Sequence, residues 1–215
     1  MNHPGSIARL FVFVICGAII SIQANGEPAM KTDGYPILLS QRLSEIASLS
    51  GDFQQQNIYD SNTIYKGRLW IARPYQFRVD TILPSMQSLV SDGQNFWSYD
   101  EDLEQVIISK LNKDLSEVPI LLFSSDIGSI EAAYAISGYS DEGQEYFLLE
   151  PKSDTSLFKS LLLEFHGATP SSIRINTATG EQIIINLANV VLNEEIRKEQ
   201  FIFVVPDNAD VIDER

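Results

Sequence analysis

The chain offers few groups able to do covalent chemistry. Past residue 24 it holds one histidine, His166, and no cysteine. That removes zinc sites built from Cys and His, and Cys–His nucleophiles. A serine triad would have to recruit His166, which follows the apolar run Leu161-Leu162-Leu163-Glu164-Phe165 at a turn, and no Gly-x-Ser-x-Gly elbow is present. Carboxylates cluster at Asp100-Glu101-Asp102 and Glu104, beside Trp97 and Tyr99. Paired carboxylates can cleave glycosides or hold calcium, but this spacing follows no calcium loop, and a charged hairpin tip accounts for it. There is no glycine-rich phosphate loop. The expectation is a protein that is not an enzyme and uses neither metal nor cofactor.

A different residue stands out, a cation at the end of an apolar row. In Lys66-Gly67-Arg68-Leu69-Trp70-Ile71-Ala72-Arg73-Pro74, read as a strand, alternate side chains share a face. Leu69, Ile71 and Arg73 then lie together. The next run, Gln76-Phe77-Arg78-Val79-Asp80, places Phe77 and Val79 on one face and polar residues on the other. Burying a guanidinium is costly unless it is paired. A cation at the rim of a greasy surface points to something that closes over that surface and is held there.

The elements that must position these residues read as mostly β. Residues 36–50 show helical spacing at Leu39, Leu43, Ile46 and Leu49, which predicts one amphipathic helix. Strand-like runs follow at 52–58, 65–72, 76–82, 88–91, 95–99 and 103–109, with Asp92-Gly93 as a hairpin signal. Residues 112–129 break the pattern. There Val118-Pro119-Ile120-Leu121-Leu122-Phe123 is apolar without alternation and reads as one or two short helices. Strands resume at 133–137, 145–149, 158–165, 171–176, 182–191 and 200–204. About eleven successive antiparallel strands form a meander, and so large a twisted sheet curls. The expected class is mainly β (α+β), in one domain. Leu69-Trp70-Ile71, Leu161-Leu162-Leu163, Ile183-Ile184-Ile185 and Phe201-Ile202-Phe203-Val204-Val205 lack polar alternation. That fits either a core covered on both faces or a concave face open to an apolar ligand.

The N-terminus has the layout of a secretory signal: one basic residue, Arg9, then an apolar run at 10–22, then Ala24 as a small residue for cleavage. The run is short for a membrane span. Cleavage there removes residues 1–24 and leaves a single domain, 25–215. Cys16 lies inside the signal, where Phe13-Val14-Ile15 is too bulky for a lipidation motif. The formal charge of −14 argues against nucleic acid and against anionic lipid surfaces, both of which need basic patches.

Several segments resemble the LolA family of periplasmic outer-membrane lipoprotein carriers. They are Gly67-Arg68-Leu69-Trp70-Ile71-Ala72-Arg73-Pro74 with Phe77, and Leu89-Val90-Ser91-Asp92-Gly93-Gln94-Asn95-Phe96-Trp97-Ser98-Tyr99-Asp100 running on to Glu104-Gln105-Val106. Phe53-Gln54-Gln55, Phe147-Leu148-Leu149-Glu150-Pro151-Lys152 and Phe201-Ile202-Phe203-Val204-Val205-Pro206-Asp207 through Val211-Ile212-Asp213 belong to the same ordered set. The resemblance implies an incomplete β-barrel with an N-terminal helix and short lid helices over a hydrophobic cavity. It implies a periplasmic monomer that binds lipoprotein acyl chains. Cargo would come from an inner-membrane ABC-type exporter (LolCDE-like) and go to an outer-membrane acceptor (LolB-like).

The resemblance also assigns roles. Arg73, with Pro74, is the lid latch. Leu69, Ile71, Phe77, Val79, Trp97, Tyr99, Leu161, Leu163 and Phe165 line the acyl-chain cavity. The lid is 118–130, with Ile120, Leu121, Leu122, Phe123 and Ile130 facing the cavity, and Phe77 also meets the exporter. Ala72 departs from the family, where a basic residue is common. Two rivals remain: a same-fold receptor lipoprotein (LolB-like), and a hydrolase or sugar-binding protein on a β scaffold.

Overall fold

A computed structural model describes residues 29–59, 63–113, 119–125 and 127–215. The expected signal segment, Cys16 included, and Val118 of the expected lid lie outside the described residues. Helix α1 (Tyr35–Ser44) opens the domain, with Pro36 in its first turn, where a missing N–H is harmless. Leu39 and Leu43 form its buried stripe. The helix ends before the predicted limit. Leu49 follows Ile46 at helical spacing, but Leu49, Gly51 and Phe53 are also the alternating buried residues of strand β1 (Ser48–Asn57). There the ladder to the next strand outweighs helix periodicity.

The remaining strands are β2 (Ile64–Ala72), β3 (Gln76–Leu83), β4 (Gln87–Asp92), β5 (Asn95–Asp100), β6 (Gln105–Lys110), β7 (Tyr134–Asp141), β8 (Gln144–Pro151), β9 (Phe158–His166), β10 (Thr169–Thr177), β11 (Gln182–Leu192) and β12 (Asp210–Asp213). They form one twelve-stranded sheet in the order β12-β6-β5-β4-β3-β2-β1-β11-β10-β9-β8-β7. Two antiparallel meanders, β1–β6 and β7–β11, join where β1 pairs with β11, Leu49 opposite Leu192 and Asn57 opposite Ile183. The outer strands β12 and β7 do not pair with each other, so the sheet stays unclosed. Residues from β1, β2, β3, β8, β9 and β10 nevertheless share one buried cluster, which requires the sheet to curl around it. The expectation of a mainly β chain with a large curved, incomplete barrel is met.

The C-terminus corrects the sequence reading. Residues 200–204 do not extend the sheet. A short 3₁₀ helix (Lys198–Phe201) packs against β3 and β4, and the chain enters the sheet only at β12, parallel to β6, with Val211 opposite Val106. The reason is topological: β11 already has β1 and β10 on its two sides, so no free edge is available beside it. The chain must cross the outer face to reach the open edge at β6.

The segment joining β6 to β7 connects the two arms. It carries a 3₁₀ helix (Pro119–Phe123) and helix α2 (Ile127–Ala133). This is where the apolar, non-alternating stretch predicted short helices.

Candidate functional site

Leu69, Ile71, Phe77, Leu161, Leu163 and Phe165 are all buried on the inner face, and Val79 packs against them. Leu121, Leu122, Phe123 and Ile130 belong to the same cluster, and Ile120 packs on it half-buried. Leu121 and Leu122 are 0% exposed and Phe123 is 2% exposed. The expected hollow is therefore filled: side chains of the connecting segment occupy the interior. A groove of about 460 Å³ opens beside Phe53 of that cluster, lined also by Asp52, Gln54, Lys66, Ile82, Leu83, Asn186 and Ala188.

Trp97 and Tyr99 are not on the inner face, contrary to expectation. Phe77 stands opposite Ser91, and Ser91 opposite Phe96, so Phe96 is the inward ring of β5; it lies 6.1 Å from Phe77. Trp97 pairs with Val90 and Ile108 on the other face, and Tyr99 with Val106. The Tyr99 ring lies 5.8 Å from Phe203. Val90, Val106, Ile108 and Phe201 are buried there, so the C-terminal segment covers a second, smaller core. A one-residue offset moves every side chain to the opposite face, and only the register decides which set points inward. Phe77, expected to meet a partner, is 1% exposed, so no partner can touch it in this structure.

Arg73 directly follows β2, in the turn to β3, and its half-buried guanidinium bonds three segments. Nε donates to the Ile46 carbonyl at 2.9 Å and Nη2 to the Leu43 carbonyl at 2.9 Å. Nη1 donates to the Ser125 carbonyl. Leu43 lies in the last turn of α1, where carbonyls lack helical partners and the helix dipole favours a cation. One planar, always charged group thus ties a strand end, a helix end and the connecting segment. The next residues reinforce the tie. The Tyr75 N–H donates to the Ser124 carbonyl at 2.9 Å. The Lys113 ammonium, where the segment leaves β6, sits 4.4 Å from the Tyr75 ring centroid. Tyr75 and Lys113 carried no signal in the sequence, because the contact joins residues distant along the chain.

Helix α1 is itself anchored. Arg42 donates to both carboxylate oxygens of Glu145 on β8, at 2.7 and 2.8 Å. Donation to the Glu145 carboxylate raises the Arg42 pKa above its ordinary value, against a smaller opposing effect of burial. The Tyr35 ring meets Phe147 edge-on at 6.1 Å.

The residues first considered for chemistry stay apart. His166 is exposed at the end of β9. Asp100 accepts from the Leu103 N–H and from Gln87, as a hairpin-tip carboxylate does. Among the described residues no group of His, Cys, Asp and Glu is arranged to hold a metal.

An unclosed sheet with one apolar interior, plugged by a segment that an arginine ties down, defines a lidded half-barrel. The chain belongs to the LolA family: residues 44–204 match the family described as outer membrane lipoprotein carrier protein LolA. An outer-membrane lipoprotein carrier protein from Alcanivorax borkumensis is 35% identical over 178 residues, covering 81% of this chain and 85% of that protein. One from Azotobacter vinelandii is 34% identical over 209 residues, covering 96% and 100%. The fold is also similar to that of a conserved uncharacterized protein from Thermus thermophilus, with a TM-score of 0.52 at 10% identity, covering 83% of this chain and 97% of that one.

Proposed function

We propose that the protein carries lipoproteins through the periplasm by sheltering their acyl chains in the space that the lid fills when empty. Family membership supports the cargo class, and the relatives bear the name of outer-membrane lipoprotein carriers. The observation that carries the reading is the Arg73 arrangement: beside the packing of Leu121, Leu122 and Phe123 in the interior, a hydrogen bond from one guanidinium ties their segment to the strand end.

The energetics suit reversible carriage. An acyl chain gains roughly 0.8 kcal/mol for each methylene it buries. An empty cavity of matching size would expose a large apolar patch, which invites aggregation. The lid removes that patch by supplying its own apolar side chains. Cargo and lid compete for one interior, so loading displaces the lid and closure helps to expel cargo. Leu69, Ile71, Phe77, Val79, Leu161, Leu163 and Phe165 then line the acyl-chain site, with Phe96 added and Trp97 and Tyr99 withdrawn.

In this reading residues 1–24 are a cleaved signal and 25–215 the working domain, a monomer. The donor is an inner-membrane ABC-type exporter, and the acceptor sits at the outer membrane. Phe77 meets the exporter only after the lid has moved. The test is to incubate the purified domain with spheroplasts and assay the soluble fraction for lipoprotein. Release of lipoprotein in one-to-one complex with the domain is expected. No soluble lipoprotein at any domain concentration would remove the carrier reading.

A further inference from the structure

The lid carries polar groups that its closed position does not satisfy. Ser124 and Ser125 follow directly on Leu121, Leu122 and Phe123, and they are 0% and 1% exposed. Their backbones are fully engaged. Both N–H groups donate to the Leu121 carbonyl, at 3.1 and 2.7 Å, and their carbonyls accept from Tyr75 and Arg73. Their hydroxyls are shielded from solvent and have no hydrogen-bond partner among the described residues. The large majority of buried polar side-chain atoms in native proteins are paired, with protein groups or ordered water. Two adjacent orphans are therefore unusual, and these lie on the very residues that Arg73 and Tyr75 hold.

We propose that Ser124 and Ser125 set the balance between the closed and open lid, by burying two unpaired hydroxyls whenever the lid closes. A buried hydroxyl without a partner loses its bonds to water and regains none. An open lid returns both groups to solvent. The penalty applies only to the closed state and opposes the hydrogen bonds from Arg73 and Tyr75 at the same two residues. An alanine at either position would keep every backbone bond and remove the penalty. The lid would then close more firmly than reversible exchange with cargo tolerates. Position and chemistry thus complement each other: the backbone latches while the side chains resist.

The inference rests on the proposed function only for what the lid opens to admit. The balance itself is measurable on the purified cargo-free domain. Hydrogen exchange of the amides of residues 120–125 is compared among wild type, Ser124→Ala, Ser125→Ala and the double variant, with Arg73→Leu as the opposite control. Each alanine should slow lid exchange about tenfold, a factor that corresponds to about 1.4 kcal/mol. The double variant should slow it further, and Arg73→Leu should speed it. The rate at which 1-anilinonaphthalene-8-sulfonate gains fluorescence with each protein should fall and rise in the same order. Unchanged exchange in both alanine variants would overturn the proposal. So would faster exchange with a lowered unfolding midpoint, which would mean that the hydroxyls stabilise the closed state. If the exchange order holds but no variant solubilises lipoprotein from spheroplasts, the carrier reading fails and the lid balance stands.

Discussion

Replacing Arg73 with leucine separates the two jobs of its guanidinium. Hydrogen bonds from a charged donor contribute about 1.5–3 kcal/mol each. The bonds to Leu43 and Ile46 tie α1 to the strand end and do not depend on the lid. Their loss should lower global stability by about 1–3 kcal/mol, because carbonyls at a helix end can be rehydrated. A domain with an ordinary stability of about 5–15 kcal/mol stays folded after that loss. The bond to Ser125 acts on the lid alone. Removing it shifts the lid toward the open state by about 1.5–3 kcal/mol, roughly tenfold to a hundredfold. Closure then no longer competes well with bound acyl chains. Arg73→Leu should take up lipoprotein from spheroplasts but transfer it poorly to outer-membrane vesicles. Arg73→Lys should fall between, since an ammonium lacks the planar fork that reaches three carbonyls. Normal transfer by Arg73→Leu, with lid exchange at the wild-type rate, would refute the latch.

Phe77→Ala should cost about 3–5 kcal/mol in urea unfolding, because the ring is buried in the main core against Phe96; a loss below 1 kcal/mol would place Phe77 outside that core. Gly67→Ala should destabilise by about 1–3 kcal/mol, since a methyl group there would meet the Asp80 carbonyl oxygen and come within 2.8 Å of Phe53 Cε1; a wild-type melting temperature would contradict that packing. Burial pushes the Asp92 pKa up, but N–H donation from Asn95 and Gln94 outweighs it and leaves the pKa lowered. The stability this adds is complete above the ordinary aspartate value near pH 4 and is lost as pH falls through the lowered folded value. Asp92→Asn should therefore flatten part of the acid limb of a stability–pH curve, and an unchanged limb would remove the assignment.

Much of this architecture was legible in the chain. Most of the strand runs, the Asp92-Gly93 turn and the non-alternating stretch around Leu121 appear as the elements they predicted. Arg73 could be singled out because a guanidinium ending the row Leu69, Ile71 needs partners. The misreadings share one cause. Trp97 and Phe96 are both aromatic neighbours on one strand, and nothing local tells which points inward. The register with Ser91 and Ser109 decides it. Likewise 200–204 has strand composition, but the sheet offers no free edge beside β11.

Side-chain periodicity and turn chemistry determined by themselves that this is a mainly β protein with a large curling sheet, and one misplaced cation pointed to something held over an apolar face; the lid and its latch came from the resemblance to the LolA family. Periodicity and turn chemistry are short-range properties, set by neighbours two to four residues apart. Only the tertiary structure decided which face of β5 is inside, that the lid fills the interior, and that Arg73 bonds carbonyls of Leu43, Ile46 and Ser125. Those outcomes depend on pairing between strands and on backbone groups dozens of residues apart, and a carbonyl oxygen looks the same at every position of a sequence.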